Sequence, residues 1–151
     1  MQEIHCVIPV RFRDLDALGH VNYATYLNYL EEAFTRLWVA VLAKAGRTLE
    51  VQEYGCVTAR TEIDYRSSAQ YGETLDVAVW VTAIGKSSFT TPYRVTDQAT
   101  GRLIADAQTV QVVTLPGQEK GFMPAAIRTA LATMTGSRRR TSDTPKSGRR
   151  Q

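Results

Sequence analysis

Asp14, Asp16, His20 and Asn22 lie close together in the stretch RFRDLDALGHVNYATYLNYLEEAF, Arg11 to Phe34. Two chemistries suit such a cluster. Asp and Asn bond the backbone in turns and cap helix starts, and Gly19 would relax the turn between them. Alternatively, the cluster works on a substrate. A helix N-terminus carries unpaired backbone N–H groups and a partial positive charge, and such donors aimed at a carbonyl stabilise the oxyanion formed on attack. A nearby carboxylate can then attack the carbonyl carbon or activate a water against it. A carboxylate is a weak nucleophile, so a thioester suits this arrangement better than an amide.

The elements around the cluster must hold it beside a helix tip. Ile4–Phe12 is rich in β-branched residues and reads as a strand. Helical periodicity follows from Tyr23 to Ala45: Tyr26, Leu30, Phe34, Leu37, Val41 and Ala45 form an apolar stripe, widened by Leu27, Trp38 and Leu42. Tyr26, Tyr29 and Phe34 read as core residues, with one edge of Tyr26 available to an acyl group. Glu31 and Glu32 face solvent, and Glu32 is the better candidate for a second polar group near the site. After Leu37 the helix is apolar nearly all round and must be covered on most sides.

Period-two patterns come next. Val57–Tyr65 alternates as a half-buried strand, with Val57, Ala59, Ile63 and Tyr65 inward. Thr74–Ile84, the segment SSFTTPYRVTD and the segment RLIADAQTVQVVTL supply three more strands. Pro92 cannot donate to a ladder and belongs at a bulge or facing away from a neighbour. Pro124–Met134 reads as a short helix with Pro at its start. The expected class is α+β, an antiparallel sheet of about five strands wrapped around one long central helix. The sheet's open edge calls for a second copy of the chain.

Composition narrows the function classes. Residues 138–151 carry a net charge of +5 while the whole 151-residue chain is +3, so residues 1–137 sum to −2. The basicity belongs to a Ser/Thr/Pro/Gly/Arg-rich tail, expected to be disordered, and nucleic-acid binding by the body is poorly supported. The domain reading is therefore a folded unit over 1–136 and a basic tail over 137–151. Cys6 and Cys56 show no metal-ligand spacing and read as buried free thiols. No apolar run approaches the roughly 20 residues of a membrane span, and the N-terminus lacks the pattern of a secretory signal. A cytoplasmic protein without metal or redox cofactor is expected.

The pattern F-x-D-x-D-x-x-G-H-V-N-x-x-x-Y, Phe12 to Tyr26, resembles the signature of the 4-hydroxybenzoyl-CoA thioesterase family of hot-dog-fold acyl-CoA thioesterases. The likeness continues through Tyr26–Ala33, Tyr65–Leu75, Ile84–Val95 and Gly101–Thr114, and covers about the first 130 residues. The resemblance implies a hot-dog fold working as a homodimer or homotetramer on an acyl-CoA. It makes Asp16 the catalytic carboxylate. It puts the polarising backbone N–H nearest Tyr23, and lines the thioester site with His20 and Asn22. It also brings coenzyme A near Lys86, Ser87 and Ser88 in the Gly85 hairpin. Arg60 and Arg66 are further candidates for its phosphates, across the dimer. Asn22 and Tyr23 stand where the hydroxybenzoyl-specific enzymes carry two large aromatics, and the acyl group stays open. A non-catalytic acyl-CoA-binding module whose basic tail engages a partner is the alternative. A dehydratase is disfavoured, because no catalytic His–acid arrangement is recognisable.

Overall fold

The computed structural model describes residues 1–135, so the tail assigned to 137–151 lies outside the described residues. The elements run β1 (Ile4–Pro9), α1 (Thr25–Lys44), β2 (Cys56–Tyr65), β3 (Thr74–Val79), β4 (Ala83–Ile84), β5 (Ser88–Asp97), β6 (Leu103–Val113) and α2 (Ala125–Met134). One antiparallel sheet has the order β1-β3-β5-β6-β2, with β4 paired to β5. The expected architecture is present, with six strands rather than about five.

The extra strand has a local cause. The expected single strand from Thr74 to Ile84 breaks after Val79. Val79 pairs with Tyr93 and Ala83 with Thr90, so three residues on one side face two on the other. This is a one-residue bulge, and Pro92 sits opposite it, where a missing N–H does least harm to the ladder. The first strand also ends sooner than expected. It stops at Pro9, and Phe12–Asp14 forms a 3-10 turn that carries the chain toward α1.

The helix buries Tyr26, Tyr29, Leu30, Ala33, Phe34, Leu37, Trp38, Val41 and Leu42. Phe34, Trp38 and Phe89 of β5 stack with ring centroids 5.8–6.3 Å apart and tie the middle of α1 to the sheet. Burying each such large side chain is worth about 1.5–3 kcal/mol. The second half of α1 is covered on another side by α2, through Ile127, Ala130, Leu131 and Met134.

Two burial expectations fail. Leu27 is 48% exposed and Val39 is 43% exposed. Leu27 borders a cavity rather than the core, and Val39 lies on an exposed face of α1. Strand β2 is also more exposed than its alternation suggests. Val57, Ala59 and Tyr65 are exposed and Ile63 half-buried. The register with β6 skips Ala59, and the strand lies at the free edge of the sheet.

Candidate active site

The two aspartates have different jobs because the chain turns between them. Asp14 is buried at 3% exposure. Its Oδ2 accepts the Arg11 backbone N–H at 3.0 Å and the Tyr29 hydroxyl at 2.8 Å, and Arg11 Nη2 lies 3.3 Å from Oδ1. Burial pushes this carboxyl up, but the three donors together outweigh burial and hold it below the usual carboxylate value. Asp14 is thus an ionised anchor with both oxygens committed.

Asp16, two residues on, faces the other way. The chain forms a tight loop in which Asp16 N–H donates to His20 O at 2.8 Å, Gly19 N–H donates to Asp16 O at 3.1 Å, and Leu15 pairs with Val21. Gly19 has φ +77, the left-handed conformation this reversal requires. The loop is fixed to the neighbouring segment by Val21 N–H to Ala69 O at 2.9 Å and a bridge from His20 to Gln70. Asp16 Oδ1 accepts the Leu18 N–H at 2.8 Å, and Oδ2 has no partner among the described residues. The half-buried side chain opens into a cleft of about 340 Å³. His20, Tyr23, Tyr26, Tyr65 and Arg66 also line this cleft.

Asn22 closes the approach to the helix. Its side-chain Oδ1 accepts the Ala24 N–H at 2.9 Å, and its carbonyl accepts the Thr25 N–H at 2.9 Å. Its own N–H donates to Asp14 O at 2.8 Å. The Asn22 side-chain oxygen is therefore engaged at the helix start, while its Nδ2 has no partner among the described residues. Between these bonded neighbours, the Tyr23 backbone N–H has no partner among the described residues. The Tyr23 carbonyl accepts the Tyr65 hydroxyl at 2.9 Å, which fixes residue 23 against the end of β2. Tyr65 also packs edge-on against Tyr26, with centroids 5.4 Å apart.

The structure thus brings Asp16, His20, Tyr23 and Arg66 to one cleft. Arg66 bonds Asp106 Oδ2 at 3.2 Å and lies 3.8 Å from Asp64 Oδ2, exposed pairs that hold it only weakly. The other coenzyme candidates lie elsewhere. Arg60 pairs with Glu62 near the middle of β2. Ser88 pairs with Val112, seven residues along β5 from Val95, whose β6 partner Ala105 pairs with Tyr65. Lys86, Ser87 and Ser88 are therefore about 23 Å down the sheet from the cleft within one chain. Their carbonyls serve the fold: Met123 N–H donates to Lys86 O at 2.9 Å and Val113 N–H to Ser87 O at 2.8 Å.

Tyr65 and Ser67 belong to the cleft wall but are not among the sequence candidates. Tyr65 ends a strand pattern that reads as packing, and only the fold brings it to Tyr23. Glu31 lines a second cavity on the β2 side of α1 and, together with Glu32, one on the β1 side; neither glutamate lines the cleft that holds Asp16. No group of three His, Cys, Asp or Glu able to hold a metal ion occurs among the described residues. No helix of the structure is long and apolar enough to cross a membrane.

The chain is similar to known proteins in sequence and in fold. The family model of the thioesterase-like superfamily matches residues 10–135. A 1,4-dihydroxy-2-naphthoyl-CoA hydrolase of Synechococcus elongatus is 31% identical over 108 residues, 68% of this chain and 75% of that protein. A thioesterase of Thermus thermophilus, solved in complex with coenzyme A and Zn, is 33% identical with a TM-score of 0.72, over 84% of this chain and 95% of that one. A 1,4-dihydroxy-2-naphthoyl-CoA thioesterase from Synechocystis shares the fold at 24% identity and a TM-score of 0.71, over 87% and 96% of the two chains.

Proposed function

Since the chain belongs to the thioesterase-like superfamily, we infer that it is an acyl-CoA thioester hydrolase, releasing free acid and coenzyme A. In this reading the free Oδ2 of Asp16 attacks the thioester carbon or takes the proton of an attacking water. The Tyr23 N–H donates to the developing oxyanion, strengthened by the positive end of α1. His20, which lines the same cleft, orients substrate or water. Asn22 acts through the helix start rather than on the substrate. The observation that carries the reading is that Tyr23, whose N–H has no partner among the described residues, lines the same cleft as Asp16.

Arg66 is the coenzyme candidate favoured within one chain, since it lines the cleft and its ion pairs are exposed. Lys86, Ser87, Ser88 and Arg60 then serve coenzyme A bound at the cleft of a second subunit. The ten-residue free edge of β2 is the surface on which that subunit pairs, giving a homodimer or a dimer of dimers. Hydrolysis by these groups needs no metal or redox cofactor, and a cytoplasmic setting follows from the coenzyme-linked substrate.

The test is thiol release from a panel of acyl-CoA esters by wild type and Asp16→Asn. Loss of about 100-fold or more in kcat with an unchanged melting temperature supports the assignment. An Asn variant as fast as wild type removes Asp16 from the chemistry. Light scattering of the intact chain tests the assembly, with a monomer at micromolar concentration as the refuting result.

A further inference from the structure

Beside the cleft, between α1 and the strands β2, β5 and β6, lies a larger cavity of about 470 Å³. On the α1 side Leu27, Leu30 and Phe34 supply apolar surface, with Glu31 and Thr35 beside them. The opposite wall is polar, buried on β5 and β6 and exposed at Thr58 and Thr61 of β2. Gln111 Oε1 accepts the Thr58 hydroxyl at 3.0 Å and the Cys56 thiol at 3.7 Å, and Gln111 Nε2 donates to Thr109 Oγ1 at 3.0 Å. Thr109 Oγ1 is 2.6 Å from Thr91 Oγ1 and 3.2 Å from the Tyr93 hydroxyl. Gln111, Thr109, Thr91 and Tyr93 are all 4% exposed or less.

Such a wall is a costly way to make a core. Apolar side chains of similar shape would avoid the desolvation of four polar groups and stabilise as well or better. The network also stops one bond short. An amide nitrogen carries two hydrogens, and the second on Gln111 Nε2 has no partner among the described residues.

The cavity continues the cleft in direction. Tyr23 and Tyr26 line the cleft, and farther along the helix Leu27, Leu30, Glu31, Phe34 and Thr35 line the cavity. On β2, Tyr65 lines the cleft and Thr61 and Thr58 the cavity. From Leu27 to Thr35 the cavity extends about 12 Å along α1, beginning two residues beyond the helix start at Thr25. A group attached to a thioester carbonyl at Tyr23 would enter the near end with its stem against Leu27 and Leu30.

We propose that this cavity holds the acyl group of the substrate, that the acyl group is a medium-length chain bearing an oxygen function at its far end, and that Gln111 is the residue that recognises that oxygen. The proposal rests on the thioesterase reading, which supplies the carbonyl position. The free N–H of Gln111 donates to the distal oxygen. Thr58 and Thr109 hold the amide so that this hydrogen, rather than the carbonyl, faces the cavity. A plain alkyl chain would leave that donor buried and unpaired, which is how a polar site rejects an analogue lacking the matching group.

The experiment compares matched esters on the intact protein: ω-hydroxydecanoyl-CoA against decanoyl-CoA, and 1,4-dihydroxy-2-naphthoyl-CoA against 2-naphthoyl-CoA. Wild type should favour the hydroxylated chain by about tenfold or more in kcat/KM, and Gln111→Leu should bring that ratio to within about twofold of unity. Thr58→Val, which frees the amide to turn, should lower the ratio part of the way and covers the case in which Gln111→Leu does not fold. Equal turnover of both chains by wild type overturns the proposal and leaves the hydrolase reading intact. So does a preference confined to the naphthoyl pair, whose oxygens stay near the mouth. Binding of the same pairs to Asp16→Asn reads the cavity without chemistry, so absence of turnover with retained discrimination in binding overturns the hydrolase reading alone.

Discussion

The Tyr29 hydroxyl donates to the buried Asp14 carboxylate at 2.8 Å, joining the first turns of α1 to the strand-to-helix turn that carries Asp16. One aspartate of the pair is thereby structural, and the other is left free to face the cleft. Substituting each in turn separates the roles. Asp14→Asn leaves the Arg11 N–H and the Tyr29 hydroxyl competing for a weaker acceptor, and should destabilise the protein by about 1–3 kcal/mol. Asp16→Asn should leave thermal unfolding unchanged and remove turnover. Calorimetry and thiol release on both variants check the contrast; an inactive but fully stable Asp14→Asn would place that residue in the chemistry instead.

The same anchor makes a pH prediction. Asp14 titrates lower in the folded chain than when unfolded, despite its burial, because Arg11 and Tyr29 favour the ionised form. The unfolded state thus binds the proton more readily. Stability from this group is complete above the unfolded carboxylate value of about 3.9 and is lost as pH falls through the lower folded value. Denaturant midpoints measured from pH 6 down to pH 2 should fall less steeply in Asp14→Asn than in wild type. Parallel curves would show that Asp14 carries no linked stability.

Tyr65 tests the positioning of the helix tip. Its hydroxyl holds the Tyr23 carbonyl at 2.9 Å, while its ring packs edge-on against Tyr26. Tyr65→Phe keeps the ring and removes only the bond. Residue 23 gains freedom, its N–H is less well aimed, and kcat should fall about three- to tenfold with little change in KM. A loss in KM alone would make Tyr65 a substrate contact rather than a positioning residue.

Asn22 makes a complementary case. Its side chain caps the turn before α1 through the Ala24 N–H. Asn22→Ala should cost about 1 kcal/mol of stability, and Asn22→Asp, which retains the acceptor, should recover most of it. Rates should follow stability in both variants. A rate loss in the Asp variant at wild-type stability would mean that the Asn22 amide nitrogen touches the substrate.

The parts of this site legible in the chain are those made by neighbours in sequence. Asp16, His20, Asn22 and Tyr23 belong to one turn, so their spacing carries their proximity. The helix was legible because Leu30, Phe34, Leu37 and Val41 repeat at its period. What was not legible depends on contacts across the chain. The break at Trp80 reflects a register set by β5. The exposure of Val57 and Tyr65 reflects the place of β2 at the sheet edge, which alternation alone does not encode. The Gln111 wall joins residues from β2, β5 and β6, and Thr58 and Gln111 are 53 positions apart. Periodicity reads Thr109 and Gln111 as one polar face of a strand and cannot say that this face turns inward.

The two thiols give a last prediction, because the polar wall runs past one of them. Cys56 is buried at the far side of the cavity, and burial pushes its thiol up to about 12. Cys6, on β1, is raised by burial as well, with Arg36 offsetting part of the effect. Nucleophilic reaction requires the thiolate, so both sulfurs should be unreactive near neutral pH even where a small reagent can enter the cavity. A disulfide-exchange reagent at pH 8 should label neither thiol of the native protein on the timescale of minutes and both after denaturation. Rapid labelling of Cys56 would mean that the cavity admits water and stabilises charge, and the acyl group would then bind in a wetter and less selective pocket than the Gln111 wall implies.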